Sequence, residues 1–364
     1  MESLSQLQMD MTMNKKLLAL AISGAVFGTQ AVAVELYNED GTAFSVGGHV
    51  SVNLNGSEKG DTDVGTNSPR INFNATQELG NGFTADAKGE WALNYLNGGD
   101  ESFTTRLGYV GLTHDELGRA VAGTQWAPYY DVASATDMPI AFANDFLYDN
   151  HGALGTGRAD KMASYRNGFD FGEAGELSFG LGWQGSNTVT TDVYDDTDIN
   201  DIIHSRTTVA YDDRIQATLG YSIAGVKLGY AFNTGDFKEG GVSKTAESHL
   251  VSAAYGSYGS GLYLAGIYAS NENMNVGLEE SDSYELLAAY ALANSLNLSV
   301  NYEVVEGEAT KGAATQTDRE ELALQAEYNF TSNVVGYTGY QFDLNDADNR
   351  KTDDKWTIGA RFYL

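Results

Sequence analysis

Apolar and polar residues alternate with period two in stretches about ten residues long. In FSVGGHVSVNL (44–54), Phe44, Val46, Val50, Val52 and Leu54 share one face, and Ser45, His49, Ser51 and Asn53 the other. In ELSFGLGWQ (176–184), Leu177, Phe179, Leu181 and Trp183 oppose Ser178, Gly180, Gly182 and Gln184. ELALQAEYNF (321–330) sets Leu322, Leu324, Ala326, Tyr328 and Phe330 against Glu321, Gln325, Glu327 and Asn329. The terminal KWTIGARFYL puts Trp356, Ile358, Ala360, Phe362 and Leu364 on one side. Each pattern predicts a strand with one apolar and one wet face. Ten residues rise about 33 Å and, tilted near 45°, cover about 23 Å, the height of the lipid-facing band of a membrane barrel.

The connections alternate in length. Tight ones are predicted near Gly80–Gly82, His114–Gly118, Gly168–Gly175, Ala224–Gly225, Gly256–Gly261, Ala293–Ser295 and Thr331–Asn333. Long or acidic ones are predicted near 55–68, 96–102, 127–157, 185–213, 234–247, 271–282, 306–318 and 344–354. Seven turns and eight loops predict an all-β fold, a 16-stranded antiparallel transmembrane β-barrel with both termini at the tight-turn side. RTTVAY (206–211) is strand-like but has no place in this count, and an even number of strands places it inside the fourth loop. A soluble β-sandwich would also alternate. It would not usually combine strictly alternating turn lengths with Trp, Tyr and Phe near strand ends.

Alternation fails in YDVASATDMPIAFANDF (130–146), where a proline and acids sit among small apolar residues. MPIAF would not rest well in water as an exposed loop, so the segment is expected to pack against an inner wall.

Composition changes this picture little. The chain has 364 residues, no Cys, 3 Pro and a net charge of −29, with mean hydropathy −0.30. A barrel wall needs only one apolar residue in two, so a hydrophilic average is compatible with it. The acidic balance argues against nucleic acid, which needs a basic footprint. MNKKLLALAISGAVFGTQAVA (13–33) reads as a signal peptide: Lys15 and Lys16, an apolar run, then Ala31-Val32-Ala33 as a cleavage site. Residues 1–12 then read as an upstream extension and 34–364 as the barrel.

Several stretches resemble the general diffusion porins of Gram-negative outer membranes, the OmpF/OmpC type, with vibrio-type porins nearest. They are VELYNEDGT (34–42), TRLGYVGL (105–112), TDMPIAFAND (136–145), YRNGF (165–169) and the terminal RFYL, in order along the chain. The resemblance implies an outer-membrane homotrimer of 16-stranded barrels in contact with lipopolysaccharide and other outer-membrane lipids. It also implies a third loop, 127–157, folded inward to narrow the pore. Carried over residue by residue, Asp137 and Asp145 match acids of that loop, while Ile140 stands where a glutamate is usual. Arg70, Arg106 and Arg158 match three arginines of the opposing wall, and His49 falls where a lysine is common. Histidine is mostly neutral at pH 7, so both poles of the transverse field are expected to be weakened.

The residue pattern adds its own argument. Arg70 shares a face with Asn72, Asn74 and Thr76, and Arg106 is set against Leu107 and Tyr109, so both are expected to face the lumen. A lipid-facing arginine at mid-membrane would cost about 2–4 kcal/mol. Asp131 joins Asp137 and Asp145 as a candidate acid of the constriction, the alternative being a mobile acidic surface loop. Trp126, Tyr129 and Tyr130 are expected to pack at the loop root or girdle rather than form a sugar-stacking track. DVYDDTDIND (192–201) lacks calcium-loop spacing and reads as a solvated external loop. The five histidines show no metal-ligand spacing, and no hydrolase, nucleotide-binding or zinc-protease motif occurs, so no enzyme, cofactor or metal is expected. The expected function is passive diffusion of ions and small hydrophilic solutes with a mild cation preference. A substrate-specific channel or an outer-membrane hydrolase are the alternatives.

Overall fold

The computed structural model describes residues 33–96, 103–143, 146–194, 203–345 and 352–364. The predicted signal peptide 13–33, apart from its last residue, and the extension 1–12 lie outside the described residues, as do Asp145 and most of DVYDDTDIND.

Strands dominate. They are β1 (Val34–Glu39), β2 (Thr42–Ser57), β3 (Asp63–Gly65), β4 (Arg70–Gly80), β5 (Phe83–Leu93), β6 (Phe103–His114), β7 (Gly118–Trp126), β8 (Arg158–Asp170), β9 (Glu176–Gln184) and β10 (Asn187–Tyr194). There follow β11 (Ile203–Ile223), β12 (Val226–Glu239), β13 (Val242–Ser257), β14 (Ser260–Glu272), β15 (Glu280–Ala291), β16 (Leu296–Glu308), β17 (Gln316–Asn329), β18 (Val334–Asp343) and β19 (Lys355–Tyr363). All pairings are antiparallel, and β19 pairs with β2 to close a 16-stranded barrel.

Three of the strands are not separate staves of the wall. β1 pairs with Thr42–Val46 of β2, and β19 with His49–Ser57, so the two ends of the chain share one edge of β2. β3 is a short flap on Asn53–Asn55. β10 extends β9 and pairs with the first half of β11, while β9 pairs with the second half. RTTVAY therefore belongs to a 21-residue strand, and much of the loop expected at 185–213 is a paired hairpin. The loop expected at 234–247 is likewise absent. β12 and β13 stay paired to Glu239 and Val242, joined by Gly240 and Gly241 at φ 57° and 84°. Positive φ at both central residues is the hairpin geometry that glycine adopts without steric cost.

All seven expected turns separate consecutive wall strands. Val50, Val52, Leu54, Leu181, Trp183, Ile358 and Phe362 are exposed on the outer face, while His49, Ser51, Asn53, Gln184, Thr357 and Arg361 are buried on the inner one. Closure satisfies the backbone groups that an open sheet would leave bare in lipid. Tertiary packing is richest where residues 127–157 meet the inner-face parity of the strands. Tyr129, Tyr130, Val132, Phe146 and Leu147 cluster there with Leu250, Ile267 and Val305. Those last three are among the apolar residues of an inner face that also carries many buried polar ones.

Candidate functional site

Gly123, Gln125 and the bulge at Asp160–Lys161 carry β7 and β8 out of regular pairing at the root of the segment. Ala127 N–H donates to Gly157 O at 2.9 Å and closes its base. Pro128 then starts a helix, Pro128–Ala133, at the position where its fixed φ suits the first turn and its missing N–H costs no bond. Glycines on the facing strands leave room for it. A Cβ at Gly180 would lie 3.0 Å from Pro128 Cβ, and one at Gly229 only 2.6 Å from Val132 Cγ1.

Much of the segment's polar backbone is taken up by uncharged side chains of the wall. Gln216 Nε2 donates to Gly155 O at 2.7 Å, Asn233 Nδ2 to Leu154 O at 2.7 Å and Gln184 Nε2 to Gly152 O at 2.5 Å. At the tip, Phe142 N–H donates to Gln325 Oε1 at 2.9 Å, and Gln325 Nε2 returns a bond to Phe142 O at 2.5 Å. Tyr129 and Ser248 hydroxyls lie 2.8 Å apart. Buried backbone groups need such partners, because an unmade bond costs about 1–3 kcal/mol. These amides were visible in the sequence only as polar residues at inward parity, with nothing to mark them as anchors.

Acids gather around the same segment. Thr136 Oγ1 donates to Glu285 Oε2 at 2.6 Å, and Asn301 Nδ2 to Glu285 Oε1 at 2.7 Å. Ile140 N–H donates to Glu327 Oε1 at 2.7 Å, and Glu303 pairs with Arg319 at 2.9 Å. Asp137 accepts from the hydroxyls of both Tyr130 and Tyr148. Burial and the neighbouring carboxylate push both phenols well above their usual range, so they stay protonated and donate at pH 7. Asp131 stands apart, bound to Arg166 of β8 with Nε–Oδ2 at 2.6 Å. Trp126 stacks on Tyr130 with centroids 4.1 Å apart, and Tyr129 and Tyr130 are buried, so these rings pack at the loop root.

Bases gather on the other strands. Glu90 of β5 lies 2.9 Å from Arg106 Nε, 3.7 Å from Arg70 Nη1 and 3.8 Å from Lys88 Nζ. Ser68 Oγ accepts from Arg70 Nη2 at 3.1 Å and Arg106 Nη1 at 3.2 Å. Arg158 sits 5.9 Å over the Trp126 ring. His49 is buried within electrostatic reach of Arg70, Arg106 and Arg361. Lys88, Glu90 and Arg361 were not singled out from the sequence.

The inward aim of Arg106 has a different cause from the one expected. Leu107 pairs with Glu90 and is buried on the inner face, while Val110 and Leu112 are exposed outside. Strict alternation from Val110 would turn Arg106 outward too. Pairing jumps from Glu90–Leu107 to Trp91–Thr105, which leaves Arg106 as the extra residue of a β-bulge. A bulge re-aims one side chain, and here it delivers the guanidinium to Glu90.

A closed antiparallel barrel with an apolar outer face and a charged, hydrogen-bonded inner one is the architecture of an outer-membrane channel. The Gram-negative porin family matches residues 17–348, and the chain belongs to that family. Outer membrane porin F of Salmonella typhimurium is 26% identical over 385 residues, covering 97% of this chain and 100% of the relative. Outer membrane porin PhoE of Escherichia coli is 25% identical over 367 residues, with the same coverage. Among solved structures, Salmonella typhi OmpF in complex with daunomycin has a TM-score of 0.71 at 22% identity, covering 91% of this chain and 100% of that one. An anion-selective porin from Comamonas acidovorans has 0.69 at 15% identity, covering 89% and 100%. The protein is an outer-membrane porin channel, not an enzyme.

Proposed function

We propose that residues 127–157 fold into the lumen as a constriction between an acidic pole and a basic pole, through which ions and small hydrophilic solutes diffuse passively. The supporting observation is the set of bonds that the segment makes to the inner-parity side chains of β9, β11, β12, β13, β15 and β17. Asp137, Glu285, Glu303 and Glu327 lie with the segment and β15–β17. Arg70, Lys88, Arg106 and Arg361 lie on β4, β5, β6 and β19, with His49 on β2 and Arg158 on β8. Asp145 is assigned to the acidic pole by family resemblance, and Asp131, held by Arg166, to the edge of it.

The net charge of −29 and a histidine in place of a wall lysine favour a mild cation preference. The fold alone does not set its sign, since the Comamonas porin with this fold is described as anion-selective. Reversal potentials of the purified protein in a KCl gradient at pH 7 decide: a cation-side potential is expected, reduced in Asp137→Asn. An anion-side potential overturns the preference, and an unchanged potential in Asp137→Asn removes that residue from the ion path. Linear flux without block by micromolar sugars or nucleosides separates general diffusion from a substrate-specific channel.

From the same family resemblance we propose a signal peptide at 13–33 and a homotrimer seated among outer-membrane lipids, lipopolysaccharide included. Conductance steps in threes are expected; single steps only would refute the trimer.

A further inference from the structure

Arg361 was read from the sequence only as part of the terminal RFYL. On β19 it pairs with Ser51 of β2, and Tyr363 pairs with His49 two rungs on, so Arg361 and His49 are same-face neighbours across the closing seam. The residue is only 9% exposed. Its Nη2 donates to Asn67 Oδ1 at 3.0 Å and to Asn67 O at 3.3 Å, and its guanidinium carbon lies 5.9 Å over the Tyr363 ring. Nε has no hydrogen-bond partner among the described residues.

Among the described residues Arg361 has no ion-pair partner, a condition it shares with Arg158 and Arg214 but not with the cations around Glu90. Arg70, Lys88 and Arg106 share Glu90, Arg119 pairs with Asp86, and Arg166 with Asp131. Among the described residues no carboxylate lies within ion-pair distance of Arg361, whose bonds go to neutral oxygens. A guanidinium is never deprotonated in a protein, so this is a fixed charge without an ion-pair partner, offset only at longer range by the carboxylate of Glu327. It lies within electrostatic reach of His49 and Arg70.

We propose that Arg361 is a specificity-determining residue of the channel: it supplies, from the last strand, the fixed positive charge that His49 does not supply from the first wall strand. The basic pole then spans the seam where the two ends of the chain meet. It attracts the carboxylate or phosphate end of dipolar solutes and opposes cation passage. The proposal rests on the constriction reading above.

Competing with it is a purely structural role. Asn67 Nδ2 donates to Ile140 O at 2.5 Å, so Arg361 also steadies a side chain that touches the tip of the segment. Asn67→Ala removes that link and leaves the charge.

The test uses the full chain in planar bilayers with a KCl gradient at pH 7.5. Arg361→Gln is expected to raise the cation-over-anion permeability ratio about sixfold, the scale for a unit charge some 8 Å from the ion path in water acting with opposite sign on cation and anion. Arg361→Lys and Asn67→Ala are expected to hold the wild-type ratio. Arg70→Gln, measured alongside, is expected to raise it too. If Arg70→Gln shifts the ratio and Arg361→Gln does not, Arg361 is not a selectivity residue although the constriction stands. If neither shifts it, the constriction reading itself fails. A shift in Asn67→Ala equal to that in Arg361→Gln makes the role structural and overturns the proposal. Should Arg361→Gln not refold, Ser51→Asp is the substitute, since Ser51 pairs with Arg361 across the seam and a carboxylate there offsets the charge while the arginine stays. The ratio must then rise by about the same factor, and a wild-type ratio overturns the proposal.

Discussion

Arg106 Nε lies 2.9 Å from Glu90 Oε1, and the pair exists because Arg106 is the unpaired residue of a bulge. Glu90 also faces Arg70 and Lys88, so one carboxylate offsets part of the charge of three cations. Glu90→Gln should make the inner wall more positive. A fall of about sixfold in the cation-over-anion ratio is expected for one charge some 8 Å from the ion path in water, since it acts with opposite sign on cation and anion. A reversal potential equal to wild type would place Glu90 outside the ion path.

Deleting one residue of that bulge tests its geometry. Removing Thr105 restores regular alternation from Val110 and turns Arg106 toward lipid, at a cost of about 2–4 kcal/mol near the bilayer midplane and less near its edge. The midpoint of urea unfolding in vesicles should fall accordingly. An unchanged midpoint would show that the strand re-forms the bulge elsewhere.

Gly229 is a contact requirement of the helix Pro128–Ala133. A Cβ there would stand 2.6 Å from Val132 Cγ1, and a valine would add two methyl groups at the same place. Gly229→Val should destabilise docking by about 1–3 kcal/mol, the usual cost of overpacking. Faster proteolysis within 127–157 and a noisier open-channel current are expected. Wild-type protection from protease would mean that the helix shifts without loss.

Gln325 bonds both polar groups of Phe142. Gln325→Leu keeps the bulk, strands the Phe142 N–H at a cost of about 1–3 kcal/mol if water cannot reach it, and leaves the Phe142 carbonyl only the 3.4 Å bond from Asn301. Accelerated amide exchange at Phe142 is the readout. Exchange at the wild-type rate would show that water replaces the amide.

His151 opens the short helix His151–Leu154 and contacts Tyr148 O at 3.0 Å through Nδ1. Burial lowers its pKa below the ordinary 6.5, with Arg158 adding to the effect and Asp160 opposing it. The undocked form therefore takes up a proton first as pH falls. The contribution to the stability of this turn is fully present well above pH 6.5 and is lost as pH falls from that value through the lower one of the docked form. Protection factors at Ala153, Leu154 and Gly155, which divide out the intrinsic pH dependence of exchange, should fall at pH 5 relative to pH 7.5, and His151→Gln should remove the difference. A pH dependence that survives in His151→Gln would point to another group.

Much of the wall was legible in the sequence. The faces of β2, β9, β17 and β19 follow their alternation, because side chains of a strand point to opposite sides whatever the strand pairs with. The seven turns were legible because they are local. Other features were not. At 234–247 the acids concealed a strand pair that extends beyond the membrane band, where polar residues cost nothing on either face. Arg106 was placed on the correct face for a wrong reason, since a bulge is a property of two strands in register and leaves little mark on either alone.

The sequence by itself determined the closed barrel and its two faces, since apolar periodicity and turn residues act over a few neighbours. It also marked 127–157 as a segment that does not alternate. Only the tertiary structure decided which polar residues meet. Glu90 among the bases, Gln325 on Phe142 and Arg361 beside His49 are brought together by register and closure across 16 strands. Such contacts join residues remote in sequence, so no local pattern encodes them.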